Sequence, residues 1–197
     1  MSGNRASFLA RVVKQAIVWW FYRQGWTVEN NSPGQRKFVV IAAPHTSNWD
    51  FLYFMGATDA LKLNLSFMGK EGLFRWPFRR MMLDLGGIPV DRSKSANVVD
   101  AMIAEFGRRK EFMLTIAPEG TRGKVQQWKT GFYHIALGAG VPMVLGMMDY
   151  KRKVVGLAGA IMPSGDYVKD MEQLAAFYAT CTPKHPRQAA PDFGAGA

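Results

Sequence analysis

Cysteine is nearly absent from this chain of 197 residues, which contains only Cys181. An intrachain disulfide bond is therefore impossible, and a reducing compartment is the simpler expectation. Nothing in the sequence suggests a zinc site, and we expect no metal. Because 48% of the residues are apolar and 20% are charged, the composition is that of one globular domain with a substantial core.

A long apolar run is also missing. The longest uncharged stretch, residues 130–148, contains His134 and is interrupted by four glycines and by Pro142. A membrane-spanning helix needs roughly 20 mainly apolar residues, so we expect a short helix, a turn and a buried strand here instead. The apolar N-terminal stretch carries Arg11 and Lys14 and is followed by no small-residue cleavage site, so we expect no secretory signal.

Acidic residues are lacking before Glu29, and the chain carries a net charge of +10. This excess indicates an anionic partner, which could be a phospholipid surface, a nucleic acid or a phosphorylated substrate. The helical spacing of apolar residues within 7–23 predicts a basic amphipathic helix, which could lie in a membrane interface, dock on its own domain, or do both. Its predicted apolar face consists of Leu9, Val12, Val13, Ala16, Ile17 and Trp20.

Short apolar strands alternate with helices along the chain, which predicts an α/β domain with a mixed, largely parallel sheet. Residues 1–30 are predicted to form the basic helix and a linker, residues 31–182 the domain, and residues 183–197 a flexible tail rich in Pro, Gly and Ala. We predict strands at 37–43, 64–68, 87–90, 111–117, 141–147 and 153–161, and helices at 48–62, 74–85, 96–109, 131–137 and 168–180.

Three polar clusters each follow a predicted strand: His45–Asp50, Asp91–Arg92 and Glu119–Arg122. Ligands of such sheets bind at the carboxyl ends of the strands, so we expect the clusters to converge at one edge. Arginine is suited to a bidentate grip on phosphate. Each cluster alone is also a plausible surface turn, but together they indicate a site for acyl or phosphoryl transfer that binds a phosphate group.

The spacing of His45 and Asp50 restricts their geometry. On one regular helix they would point about 140° apart, so they can meet only if His45 lies in a loop and Asp50 in the first turn of the next helix. A carboxylate on one imidazole nitrogen would leave the other nitrogen free to take a proton from a substrate hydroxyl. A second interpretation stays open, because Ser47 to Asp50 also matches a capping box that serves only the helix N-terminus.

Four segments carry a specific resemblance. His45 to Asp50 resembles the H-x4-D motif of the glycerolipid acyltransferases (lysophosphatidate-type, PlsC-like). Residues 86–92 are similar to that family's second block, which ends in arginine, and residues 118–122, Pro-Glu-Gly-Thr-Arg, to its third. Residues 141–144 resemble the fourth, apolar block, and all four segments occur in the family's order.

The resemblance implies an αβα sandwich that moves a fatty acyl group from acyl-CoA or acyl carrier protein, with no cofactor. The acceptor would be a hydroxyl of a (lyso)phospholipid such as 1-acyl-glycerol-3-phosphate. His45 would deprotonate that hydroxyl and Asp50 would orient His45. Acceptor and phosphate binding are implied for Arg92, Glu119, Gly120, Thr121 and Arg122.

An enzyme of this kind is expected at the cytoplasmic side of an anionic membrane, as a peripheral protein without a transmembrane span. The 7–23 helix and the aromatic, arginine-rich residues 74–80 would face the lipid. One alternative keeps the chemistry but uses a glycolipid or aminolipid hydroxyl. Another is a non-catalytic membrane-binding module. The positive charge is scattered along the chain, and the sequence shows no recognisable nucleic-acid-binding motif, so no nucleic acid is expected.

Overall fold

The secondary structure is described over residues 7–91 and 95–189 of a computed structural model. The helices are α1 (Phe8–Arg23), α2 (Trp49–Ala60), α3 (Arg79–Asp84), α4 (Ser95–Arg108), α5 (Gly131–Ala139) and α6 (Tyr167–Tyr178). The strands are β1 (Thr27–Asn30), β2 (Lys37–Ala42), β3 (Leu65–Lys70), β4 (Gly87–Val90), β5 (Phe112–Ile116), β6 (Met143–Asp149) and β7 (Val154–Ile161). Short 3₁₀ turns cover Glu71–Phe74 and Pro186–Gln188.

The strands form one seven-stranded sheet in the order β1-β7-β6-β2-β5-β3-β4. Neighbouring strands are parallel except β6 and β7, which are antiparallel. The predicted mixed, largely parallel sheet is confirmed. Because β2, β5 and β6 are parallel neighbours, the loops that follow them emerge side by side at one edge of the sheet.

Helices cover both faces of the sheet, and alternate residues of β2 show the two cores. Val39 and Ile41 belong to the larger core, which includes side chains of α4, α5 and α6. Phe38 and Val40 point to the other face, where α1 and α2 pack. This period of two is what a central strand needs when both of its faces are buried. The result is the αβα sandwich that the resemblance implies.

The edge strand β1 is not among the predicted strands. It has four residues with partly exposed side chains, too few for a periodic pattern. Its pairing with β7 depends on Gly156, since a Cβ atom there would lie 2.0 Å from the carbonyl oxygen of Glu29. The predicted boundary between residues 30 and 31 therefore falls directly after a strand of the sheet.

The helix predicted over 74–85 is shorter in the structure. Phe74 ends a 3₁₀ turn, and α3 begins only at Arg79. Pro77 explains the break, because it lacks an N–H group and disfavours helical backbone at Trp76. The intervening segment leaves Trp76 91% exposed.

Helix α1 docks on α2 through Phe21, which is buried against Gly56. A Cβ atom at Gly56 would lie 2.1 Å from Cγ of Phe21, so the contact depends on glycine. The start of α1 is held by the backbone N–H of Ser7, which donates to Oδ2 of Asp84 at 2.9 Å. The N-terminal helix is therefore an integral part of the fold.

The predicted apolar face of α1 is only partly correct. Ala10 is buried, whereas Leu9, Val12 and Ala16 are exposed. The helix is apolar on two sides, so spacing alone could not identify the docked one. Its outer side presents Phe8, Val12, Trp19 and Tyr22 to solvent. Among the helices in the described ranges, none combines the length and apolarity that crossing a bilayer requires.

Candidate active site

His45 and Asp50 meet at a loop–helix junction, as their spacing predicts. Strand β2 ends at Ala42, His45 lies in the following loop, and Asp50 is in the first turn of α2. Nδ1 of His45 lies 2.9 Å from Oδ2 of Asp50. The carboxylate is buried, whereas the imidazole is 23% exposed and can be reached from outside.

Asp50 also stabilises the backbone of this loop. Its Oδ2 accepts hydrogen bonds from the N–H groups of Thr46 and Ser47, at 3.0 and 2.9 Å. The bond from Ser47 is the backward half of a capping box, and it places a negative charge at the N-terminus of α2. The capping and histidine-orienting interpretations are thus compatible, because one oxygen makes both sets of contacts.

The second oxygen of Asp50 is bonded to Tyr150, a residue that no sequence motif identifies. The Tyr150 hydroxyl donates to Oδ1 at 2.5 Å. Tyr150 directly follows β6, the parallel neighbour of β2, and this position at the same sheet edge is the signal that could have found it. Burial, reinforced by the charge of Asp50, raises the pKa of Tyr150, so the phenol keeps its proton.

Glu119 joins the loop after β5 to the histidine loop. Its Oε2 accepts the backbone N–H of His45 at 2.7 Å, and the residue is only 4% exposed. Within residues 7–91 and 95–189, its Oε1 has no hydrogen-bond partner. Burial raises the pKa of Glu119 to about 7, against the opposing effect of the His45 N–H. Glu119 therefore positions His45, and the phosphate role that the resemblance implies for it remains a prediction.

We expect Glu119→Gln to change the pH dependence of stability. The pKa of this carboxyl group rises from 4.5 to about 7 on folding, so the folded state binds its proton more tightly. The contribution of the protonated Glu119 to the free energy of unfolding is therefore fully present at low pH. It is lost as the pH rises through this interval, and the total loss is about 3 kcal/mol. Urea unfolding at pH 5 and 8 should show the variant gaining stability relative to the parent at pH 8.

The exposed Glu172, on α6, provides the matched control for this experiment. Glu172→Gln should leave the pH dependence of the free energy of unfolding unchanged. If Glu119→Gln followed the parent curve at both pH values, the raised pKa would be refuted.

The remainder of the Pro118–Arg122 loop is a turn with an exposed outer side. Gly120 has a φ of +66°, a left-handed conformation that favours glycine. Thr121 and Arg122 are exposed, and the Thr121 hydroxyl oxygen accepts the N–H of Gly123 at 3.3 Å. The loop thus places a guanidinium group on the surface beside the buried Glu119 that contacts His45.

Arg92, the other predicted phosphate-binding residue, lies outside the described residues. Strand β4, which precedes it, ends at Val90 and is separated from β2 by β3 and β5. The role of Arg92 therefore remains a prediction.

The described part of the predicted tail, residues 183–189, lies against the site. Nζ of Lys184 is 4.6 Å from the ring centroid of Trp49 and 5.9 Å from that of Tyr150. The N–H of His185 donates to Oγ1 of Thr46 at 3.2 Å. The boundary predicted at residue 183 thus falls within a segment that contacts the histidine loop, and residues 190–197 lie outside the described ranges.

Gln188 extends these contacts to a second loop. In the orientation of its amide that gives both the oxygen and the nitrogen suitable partners, the Gln188 side-chain nitrogen donates to the carbonyl oxygens of Thr46 and Arg122, each at 3.1 Å. The C-terminal segment therefore bridges the loops that follow β2 and β5.

Residues 26–145 match the model of the protein family described as Acyltransferase. The match includes His45, Asp50 and the Pro118–Arg122 loop, and it covers more than half of the chain. The chain belongs to the acyltransferase family. This confirms the family resemblance that the four sequence segments carry.

Curated proteins similar to this chain are also named acyltransferases. The 1-acyl-sn-glycerol-3-phosphate acyltransferase of Salmonella typhimurium is 29% identical over 113 residues, which are 54% of this chain and 44% of the relative. The enzyme of that name from Escherichia coli (strain K12) is 27% identical, with the same coverage of both chains. The match therefore spans less than half the length of these relatives.

A solved structure supports the fold. The crystal structure of the 1-acyl-sn-glycerophosphate (LPA) acyltransferase PlsC from Thermotoga maritima has a TM-score of 0.57 and 18% sequence identity. The match covers 86% of this chain and 78% of that chain. At this identity, the likeness shows that the two proteins share a fold.

Proposed function

We propose that this protein transfers a fatty acyl group from acyl-CoA or acyl carrier protein to a hydroxyl of a lysophospholipid such as 1-acyl-glycerol-3-phosphate. The observation that carries the proposal is the 2.9 Å contact between Nδ1 of His45 and Oδ2 of Asp50. It lies beside the Pro118–Arg122 loop in a chain of the acyltransferase family. The matched relatives named for this reaction support the choice of acceptor.

In the proposed reaction, Nε2 of His45 removes the proton of the acceptor hydroxyl as its oxygen attacks the thioester carbonyl. A C–O bond forms, the C–S bond breaks, and the imidazolium returns the proton to the leaving thiolate. The products are an oxygen ester and a free thiol. Asp50 holds His45 in the required tautomer and stabilises the imidazolium. Because the thioester is already an activated acyl donor, the proposed reaction requires no cofactor or metal.

The phosphate of the acceptor would bind the guanidinium group of Arg122, together with the Thr121 hydroxyl and Arg92. Arg122 is exposed, and its loop is joined to the His45 loop through Glu119. A planar guanidinium group can bind phosphate through two parallel hydrogen bonds. We therefore expect the phosphate, rather than the acyl chain of the acceptor, to lie beside this loop.

The acceptor is tested by comparing lysophosphatidate with monoacylglycerol, a glycolipid and an aminolipid, using acyl-CoA as donor and mass spectrometry of the products. We expect lysophosphatidate to be the preferred acceptor. Arg122→Gln should raise KM for lysophosphatidate about tenfold or more, as loss of a charge-assisted phosphate contact predicts. KM for monoacylglycerol should stay within about twofold.

Lys110→Gln is the matched control, because Lys110 is an exposed cation just before β5, at the opposite edge of the sheet. Preferred turnover of the glycolipid or aminolipid would replace the proposed acceptor and keep the chemistry. Absence of turnover with every acceptor would favour the non-catalytic membrane-binding alternative.

We also propose that the protein works at the cytoplasmic side of an anionic membrane. The exposed apolar residues Phe8 and Trp19 on α1, with Trp76 and Phe78 before α3, would enter the lipid interface. The hydrogen bond from Ser7 to Asp84 joins α1 to α3, so these residues belong to neighbouring elements. The nearby cations, which would attract anionic headgroups, are Arg11, Lys14, Arg75, Arg79 and Arg80.

Vesicle flotation tests this surface. The parent should float with vesicles containing anionic phospholipid and much less with neutral ones. The double variant Phe8→Ser/Trp76→Ser should lose at least about tenfold in affinity, because it removes two large apolar anchors. The matched control is Met162→Ser, because Met162 is an exposed apolar residue that follows β7. Equal binding to neutral and anionic vesicles, or no binding, would contradict the proposal.

A further inference from the structure

Asp50 uses its two oxygens for different partners. Oδ2 accepts from the Thr46 and Ser47 backbone and contacts Nδ1 of His45, whereas Oδ1 accepts from Tyr150. The hydroxyl of Tyr150 thus contacts the carboxylate on the side away from the histidine. A carboxylate bonded at both oxygens has a restricted rotation, which also restricts the direction in which Oδ2 faces His45.

We propose that Tyr150 is a positioning residue for acyl transfer, which fixes the Asp50 carboxylate so that Oδ2 keeps the His45 ring aligned for proton removal. This inference rests on the proposed function, in which His45 is the base. Tyr150 lies outside the four segments that carry the family resemblance. It would act through Asp50 and need not touch either substrate.

The surroundings of Tyr150 hold its ring in one place. The ring packs edge-on against Trp26 and Tyr53, with centroid distances of 5.1 and 5.6 Å. The backbone N–H of Tyr150 donates to the carbonyl oxygen of Thr182 at 2.8 Å. Trp26, which directly precedes β1, and Tyr53 of α2 therefore hold the side chain, and Thr182 holds the backbone, as a residue that aligns another group requires.

The charge distribution favours the phenol as a donor. The 2.5 Å separation between the Tyr150 hydroxyl and Oδ1 of Asp50 is at the short end for an O–H···O⁻ bond. Bonds to an ionised acceptor are about twice as strong as neutral ones. Without this donor, Oδ1 would be left partly buried beside aromatic rings, and the carboxylate could turn away from His45.

Tyr150→Phe tests the inference, because it keeps the ring and removes only the hydroxyl. We expect kcat for acyl transfer to fall about tenfold, while KM for donor and acceptor stays within about twofold. In an Asp50→Asn background the same substitution should change kcat by less than about twofold, because the charged carboxylate through which Tyr150 would act on His45 is then replaced by a neutral amide.

Tyr133→Phe is the matched control. The Tyr133 hydroxyl donates to Oδ2 of the buried Asp170 at 3.0 Å, so this variant also loses a tyrosine–aspartate hydrogen bond, away from His45. It should lower thermal stability and leave kcat at the parental value. An unchanged kcat in Tyr150→Phe would overturn the inference. An equal loss in the presence and absence of Asp50→Asn would overturn it too, because Tyr150 would not then act through Asp50.

A measurement without substrate separates this inference from the proposed function. The NMR signals of the His45 ring nitrogens should move in Tyr150→Phe and stay unchanged in Tyr133→Phe. Unchanged signals in Tyr150→Phe would overturn the inference even if the parent transfers acyl groups. If the His45 signals moved but the parent protein transferred no acyl group, the alignment of His45 by Tyr150 would be supported. The missing transfer would then contradict only the proposed reaction.

Discussion

His45→Ala is expected to lower kcat/KM for acyl transfer to lysophosphatidate by roughly 10³–10⁴-fold, near the upper end for loss of a general base. The acceptor hydroxyl is a weak nucleophile, and the partly exposed imidazole, paired with Asp50, is the base in the proposed reaction. The check is the rate of free-thiol release from acyl-CoA, measured with and without the acceptor.

His134→Ala is the control for this variant, because His134 is exposed on α5 and separate from the His45–Asp50 pair. It should retain the parental rate. Parental turnover by His45→Ala would rule out His45 as the base. Circular dichroism would show whether the His45→Ala variant is folded. We expect it to fold, because the His45 side chain is not buried in either core.

Asp50→Asn should lower kcat by roughly 10²–10³-fold with little change in KM for either substrate. The amide has nearly the shape of the carboxylate, but it lacks the charge that stabilises the imidazolium formed as His45 takes the proton. It also has one acceptor oxygen for contacts that now occupy two, from His45, Tyr150 and the loop backbone. Steady-state kinetics with varied donor and acceptor would measure both constants.

Asp59→Asn is the matched control on the same helix. Asp59 is in the last turn of α2 and forms a partly exposed ion pair with Lys14 at 3.6 Å, so its loss should change kcat by less than about twofold. If Asp50→Asn were as active as Asp59→Asn, Asp50 would serve only the N-terminus of α2, and the capping interpretation would explain its contacts.

Local chemistry made the central pair predictable. The five-residue spacing of His45 and Asp50, with Pro44 before them, allows contact only across a loop–helix junction, and the structure has that junction. The approach of Glu119 also follows from sequence, since each loop leaves the carboxyl end of a buried strand. The specific contact does not, because it depends on the strand order that makes β2 and β5 neighbours.

Other contacts between residues distant along the chain depend on the strand order in the same way, so local sequence patterns do not predict them. Tyr150 is 100 residues from Asp50, and its hydroxyl reaches Oδ1 only because β6 pairs with β2. Lys184 reaches Trp49 from a segment whose composition is that of a flexible end. Strand β1 is too short to show a period, and it depends on the space left by Gly156. Composition and periodicity report on local preference, whereas these contacts are set by the assembled sheet.

The most direct test of acyl transfer to a lipid hydroxyl is to follow the acyl group itself. The parent protein would be mixed with acyl-CoA carrying an isotope label at the thioester carbonyl and with lysophosphatidate, and all products would be identified by mass spectrometry. The label is expected in the new ester of phosphatidate, with one thiol released per ester formed, and this transfer should be lost in His45→Ala. Label recovered only as free fatty acid or bound to the protein, or equal transfer by His45→Ala, would contradict the account.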